Sequence, residues 1–208
     1  MNLYNLNPEQ SESLVFLDVE TTGTSPRDDR IIEIGCVRVD DMNEAAFFDE
    51  KNTFWSYVKS DVKVKPCSFR VHGISDEFLL DKPSFVSISE DLLNFIGNRT
   101  IIAHNASFDM NFLNAELERI GLPTLTNKVI DSLQVARRMY PGSPVGIDAL
   151  ISRFNMKGRN LHSAKWDAEA LARIYIQMVR SKDQKLFGEQ KNATSSIEEL
   201  EICDFVIS

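Results

Sequence analysis

The chain has 208 residues, of which 43% are apolar and 26% charged, and a formal net charge of -8. That length can bury the core of one ordinary globular domain, and no apolar run approaches the roughly 20 residues of a membrane-spanning helix. The acidic balance argues against broad electrostatic binding of duplex nucleic acid, though not against an enzyme that grips a strand end through metal ions.

Residues 1–13 are polar and read as a loose lead-in; without a basic start followed by an apolar stretch, no secretory signal is expected. Leu14-Val15-Phe16-Leu17-Asp18-Val19-Glu20-Thr21-Thr22-Gly23 then climbs through an apolar run to two acids and stops at a turn. Its length and strand-favouring residues predict a buried β-strand, on which Asp18 and Glu20 share one face because side chains alternate. Two carboxylates so placed repel each other, and a hard divalent cation is the natural group to sit between them. A loop follows at Thr24–Asp29. Ile31 to Val39 reads as a second strand and Phe47 to Val58 as a third, and their short connections favour an antiparallel meander.

Val71-His72-Gly73-Ile74-Ser75 is expected as a loop entering a helical turn, with Ser75 as N-cap. Ser87 to Ile96 is helical by pattern, and Thr100–Ala103 is a short buried strand. His104-Asn105-Ala106-Ser107-Phe108-Asp109 comes next, where Ser107 can cap a helix and Asp109 falls in its first turn, favoured there by the helix dipole. Met110, Leu113, Leu117 and Ile120 keep helical spacing up to the stop at Gly121 and Pro123. Val129–Asp131 is a strand leading to a helix through Met139, and Ile147 to Phe154 form another. After His162 a final helix carries Ala168, Leu171, Ala172, Tyr175 and Val179 on one face. Strands first, then strand–helix alternation, predict an α/β fold with a mixed sheet flanked by helices. Cys36, Cys67 and Cys203 are widely spaced and contain no Cys-x-x-Cys, which suggests neither a disulfide framework nor a zinc site and fits a reducing cytosol.

Four acids stand in three separate blocks: Asp18 with Glu20, then Asp109, then Asp167, with His162 five residues before the last. Phosphodiester hydrolysis uses such a set. Two cations about 3.5–4 Å apart stabilise both the attacking and the departing oxygen, and a histidine with a pKa of about 6.5 can take a proton from water near neutral pH.

In this order and spacing, Asp-x-Glu-Thr-Thr-Gly, His-Asn-Ala-x-Phe-Asp and His-x-Ala-x-x-Asp-Ala resemble the DEDDh (DnaQ-like) 3′–5′ exonucleases, most closely their proofreading epsilon branch of bacterial DNA polymerase III. The likeness runs from about Leu14 to Val179. It implies a ribonuclease H-like fold with a central mixed five-stranded sheet flanked by helices. It also implies that Asp18, Glu20, Asp109 and Asp167 hold two divalent ions, Mg²⁺ or Mn²⁺, while His162 is the general base. A related class has tyrosine four residues before the last Asp; Ser163 occupies that position here, so the histidine class is the one matched.

Thr21, Thr22, His72 and Phe108 resemble family positions that line the terminal nucleotide, and Glu33 a position beside the site. Ser163 stands where close relatives usually have glycine, and Lys165-Trp166 where an aliphatic pair is common. Residues 1–180 are then the exonuclease domain. Residues 181–208 are a flexible tail in the position where proofreading subunits dock on the polymerase catalytic subunit. Gln184-Lys185-Leu186-Phe187 resembles short peptides that bind a sliding clamp. The implied substrate is a single-stranded DNA 3′ end and the implied location cytoplasmic, with no membrane association. The alternatives are a stand-alone exonuclease on RNA or short DNA, or a catalytically silent binding module on the same fold.

Overall fold

β1 (Leu14–Thr21) occupies the centre of a five-stranded sheet in the order β3-β2-β1-β4-β5, in a computed structural model that describes residues 13–40, 50–156 and 162–181. Its position explains its composition. A central strand is covered on both faces, so Leu14, Val15, Phe16 and Leu17 are all buried. β2 (Ile31–Val39) pairs with it antiparallel from Leu14↔Val39 to Thr21↔Ile31, with an irregularity after Glu20. β3 (Thr53–Tyr57) continues the meander at the sheet edge. β4 (Thr100–Ala103) and β5 (Val129–Asp131) run parallel to β1, which makes the sheet mixed as expected.

Two cores cover the two faces. Val15, Leu17, Val19, Ile34 and Cys36 pack against α3 (Phe85–Ile96) and α4 (Ala106–Arg119). Leu14, Phe16, Val37 and Ile102 pack against α5 (Ser132–Met139), α6 (Ile147–Arg153) and α7 (164–181). Each large apolar side chain so buried contributes about 1.5–3 kcal/mol relative to leaving it in water.

Three expectations need correction. The ladder of the third strand begins at Thr53, after a single 3-10 turn at Glu50–Asn52; residues 47–49 lie outside the described residues, as does the tail from 182 onward. Val71 and His72 are not loop: they end α1 (Pro66–His72), which Pro66 opens and Gly73 closes in the left-handed region at φ 72°. None of its residues is buried, so no apolar periodicity announces it. Ser75 does cap α2 (Asp76–Leu79), accepting from the Phe78 N–H. Finally, the N-cap of α4 is Asn105, itself left-handed at φ 73°, and Ser107 lies inside the first turn. Among the described residues no helix is long and apolar enough to cross a membrane.

Candidate active site

Pairing between β1 and β4 ends at Phe16, so β1 outruns its parallel neighbour. Asp18 and Glu20 stand on this overhang, on the face that carries Leu14 and Phe16 and therefore under α7. A crevice past the carboxyl ends of parallel strands is where open α/β sheets bind ligands.

Asp109 arrives from the opposite face. It sits in the first turn of α4, is buried, and accepts a hydrogen bond from the Val19 N–H at 3.2 Å. Asp167 is buried in the first turn of α7. Gly35 brings α7 close: a Cβ there would lie 2.3 Å from the Ala164 carbonyl oxygen, so only glycine permits this approach. Glu20, His162 and Asp167 thereby place one ligand atom each within 4.8 Å of one another.

The electrostatics are those of crowded acids. Burial first, then repulsion from Asp109, Asp167, Glu20 and Glu33, raises Asp18 well above the usual carboxylate range. Burial pushes Asp109 up to about 8, against the pull of its own backbone N–H and that of Val19, with Asp131 adding to the rise. A divalent cation relieves this repulsion. The oxygen donors suit a hard ion, and the 4.8 Å spacing of Glu20, His162 and Asp167 lets one ion reach several of them, so the residues present fit the metal that the motif implies.

The turn after β1 is organised by a buried acid, Asp29, which no motif in the sequence marks. Asp29 forms an ion pair with Lys65 at 2.7 Å and accepts from the Ser25 N–H at 2.9 Å and the Thr22 hydroxyl at 3.3 Å. Thr22 is fully buried, with its hydroxyl also accepting from the Arg30 N–H. It shapes the turn, and its side chain is not presented to a ligand as the motif suggested. Thr21 turns its hydroxyl to the Gly23 carbonyl.

The His72 Nδ1 accepts from the Ile74 N–H, so the ring carries its proton on Nε2, which faces the Thr21 carbonyl at 3.3 Å. Burial, and to a lesser extent nearby His162, lowers the His72 pKa even though the Thr21 contact opposes this, so the neutral ring is favoured. Phe108 is half-buried beside Phe112, with ring centroids 4.9 Å apart. His104 bonds Ser132 at 2.9 Å, and Asn105 takes its N–H to Asp131 at 3.1 Å, so both organise the β4–α4 loop.

Acids converging at the open end of a mixed sheet, beside a histidine, define a nuclease-type hydrolytic centre. The family model described as Exonuclease matches residues 15–175. A DNA polymerase III subunit epsilon from Rickettsia felis is 42% identical over 79% of this chain and 72% of its own length. The protein of the same name from Escherichia coli K12 is 37% identical over 84% of this chain and 74% of its own length. Among solved structures, Exonuclease X in complex with 5′ overhanging duplex DNA superposes with a TM-score of 0.62 at 26% identity, over 81% of this chain and 92% of that one. The chain belongs to the exonuclease family, within its DNA polymerase III subunit epsilon group. Divalent-metal dependence goes with that family.

Proposed function

We propose that this protein is the proofreading 3′–5′ exonuclease of a replicative DNA polymerase, removing nucleotides singly from single-stranded or mismatched 3′ ends. The observation that carries this reading is the grouping of Glu20, His162 and Asp167 within 4.8 Å beside Asp18 and Asp109. The epsilon relatives support a polymerase III setting, and the duplex with a 5′ overhang held by Exonuclease X supports DNA as substrate. Frayed termini are preferred because unpairing costs them least.

Asp18, Glu20, Asp109 and Asp167 hold two ions, Mg²⁺ or Mn²⁺. When bound, the ions supply the positive charge that the scissile phosphate and its departing oxygen require. His162 takes a proton from the attacking water. The water oxygen bonds to phosphorus, the 3′ oxygen leaves with the shortened strand, and a nucleoside 5′-monophosphate is released. Thr21, His72 and Phe108 line the place of the terminal nucleotide, with Thr22 holding the turn from beneath. Residues 1–180 form the catalytic domain. Residues 181–208 dock the polymerase catalytic subunit, and Gln184-Lys185-Leu186-Phe187 meets the sliding clamp, in the cytoplasm.

The test is degradation of 5′-labelled single-stranded DNA with Mg²⁺ or Mn²⁺, beside matched RNA, by wild type and His162→Ala. A metal-dependent ladder shortening from the 3′ end and slowed by orders of magnitude to a residual rate in the variant supports the reading. Faster loss of RNA than of DNA overturns the choice of substrate. Binding without hydrolysis overturns the enzyme.

A further inference from the structure

Glu33 is the register partner of Glu20 across the β1–β2 pair and is fully buried. Its Oε1 accepts two hydrogen bonds of 2.7 Å, one from the Trp55 indole N–H and one from the Ser163 hydroxyl. Its Oε2 is buried without a partner among the described residues. A buried carboxylate with an unsatisfied oxygen is costly, and this one stands next to a site already crowded with acids. The bonds it makes point to what it does there.

Ser163 sits between His162 and the first turn of α7. On one side, His162 has φ 58°, in the left-handed region that a non-glycine residue keeps only where its surroundings hold it. On the other, the Ser163 carbonyl accepts from the Asp167 N–H at 2.9 Å, which makes Ser163 the cap of α7. A capping serine ordinarily turns its hydroxyl onto the free N–H groups of its own helix. Here the hydroxyl donates across to Glu33, 130 residues away in sequence. The Trp55 indole, bonded to the same oxygen, fixes the orientation of the carboxylate that receives it.

We propose that Glu33 is a positioning residue: by holding Ser163 through its hydroxyl, it sets the orientation of His162 over the reacting water. This rests on the reading of His162 as general base. Trp55, Glu33, Ser163 and His162 then form one chain of contacts from the edge strand to the base. Removing the hydroxyl releases the left-handed residue next to it while leaving the acids where they are.

The experiment uses the full-length protein, labelled single-stranded DNA and saturating Mn²⁺. Ser163→Ala is expected to lower kcat about tenfold per folded molecule with KM within about twofold and a thermal midpoint only a few degrees lower, and Ser163→Thr, which keeps the hydroxyl, to restore kcat. In a His162→Ala background the same Ser163→Ala change is expected to cost nothing further, because the two act as a unit. Glu33→Met, close in size but without an acceptor, reproduces the Ser163→Ala loss, and the pair is non-additive; should that variant fail to fold, the serine series still decides. An unchanged kcat in Ser163→Ala, or an equal loss in the His162→Ala background, overturns the positioning role. Absence of hydrolysis by wild type overturns the functional reading instead.

Discussion

Val19 donates its backbone N–H to the Oδ1 of Asp109 at 3.2 Å, joining a strand end to a helix start 90 residues away. The contact exists because β4 stops pairing at Phe16 and leaves the far part of β1 without a strand on that side. A side chain fills the vacant place. The overhang that carries half-buried Asp18 and Glu20 is therefore also what captures the third acid.

That capture makes the metal-free protein pH-sensitive. With its carboxyl raised to about 8 from an ordinary 3.8, Asp109 keeps its proton when folded while the unfolded chain has lost it. Stability therefore falls as pH rises from about 4 to about 8, and Asp18 adds a loss of the same sign. Denaturant titrations in EDTA at pH 5 and pH 8 should show the drop, and Asp109→Asn should flatten it.

Metal should reverse the same trend. Mg²⁺ or Mn²⁺ at a hundredfold over its dissociation constant stabilises a folded site by about 2.7 kcal/mol. Because the ions bind deprotonated carboxylates, thermal midpoints should rise more at pH 8 than at pH 5. Asp18→Asn should lose most of that rise along with the activity.

Gly35→Ala tests the approach of α7. The added methyl would lie 2.3 Å from a backbone carbonyl, which cannot rotate away as a side chain would. We expect about 1–3 kcal/mol of destabilisation. Displacement of His162 and Asp167 should lower kcat by more than the loss of folded protein explains, as measured by activity per folded molecule.

Asp29→Ala tests the turn. It strips Lys65, Thr22 and the Ser25 N–H of their common acceptor; water replaces it at half-exposed Lys65, while the buried Thr22 hydroxyl left without an acceptor costs about 1–3 kcal/mol. The Thr21 carbonyl facing His72 should shift with the turn, so KM for single-stranded DNA should rise while metal affinity, read by calorimetry, stays close to wild type.

Several elements are legible in the sequence itself. The bounds of β2, β4, β5 and α5 coincide with those expected, because each is an apolar or helical run closed by strong turn or cap residues. α1 escaped because none of its residues is buried, so the signals present were only Pro66 and Gly73. Asn105 is the cap where the sequence predicts Ser107, because serine is a preferred cap residue and a left-handed asparagine leaves no spacing signature. The motif placed Thr22 against a ligand, whereas burial and Asp29 take its hydroxyl inward.

By itself, the sequence singled out Asp18, Glu20, Asp109, His162 and Asp167, the groups proposed to carry the chemistry, through their identity, their order and the motifs they share with the exonuclease family. It also determined the strand-then-helix order, because periodicity is local. Only the tertiary structure decided how those groups meet: β1 outrunning β4, Gly35 admitting α7, Asp109 reaching round from the other face, and Glu33 holding Ser163. Hydrogen bonds and charge repulsion act over a few ångströms of space, and residues 90 or 130 positions apart become neighbours only when the sheet brings them together.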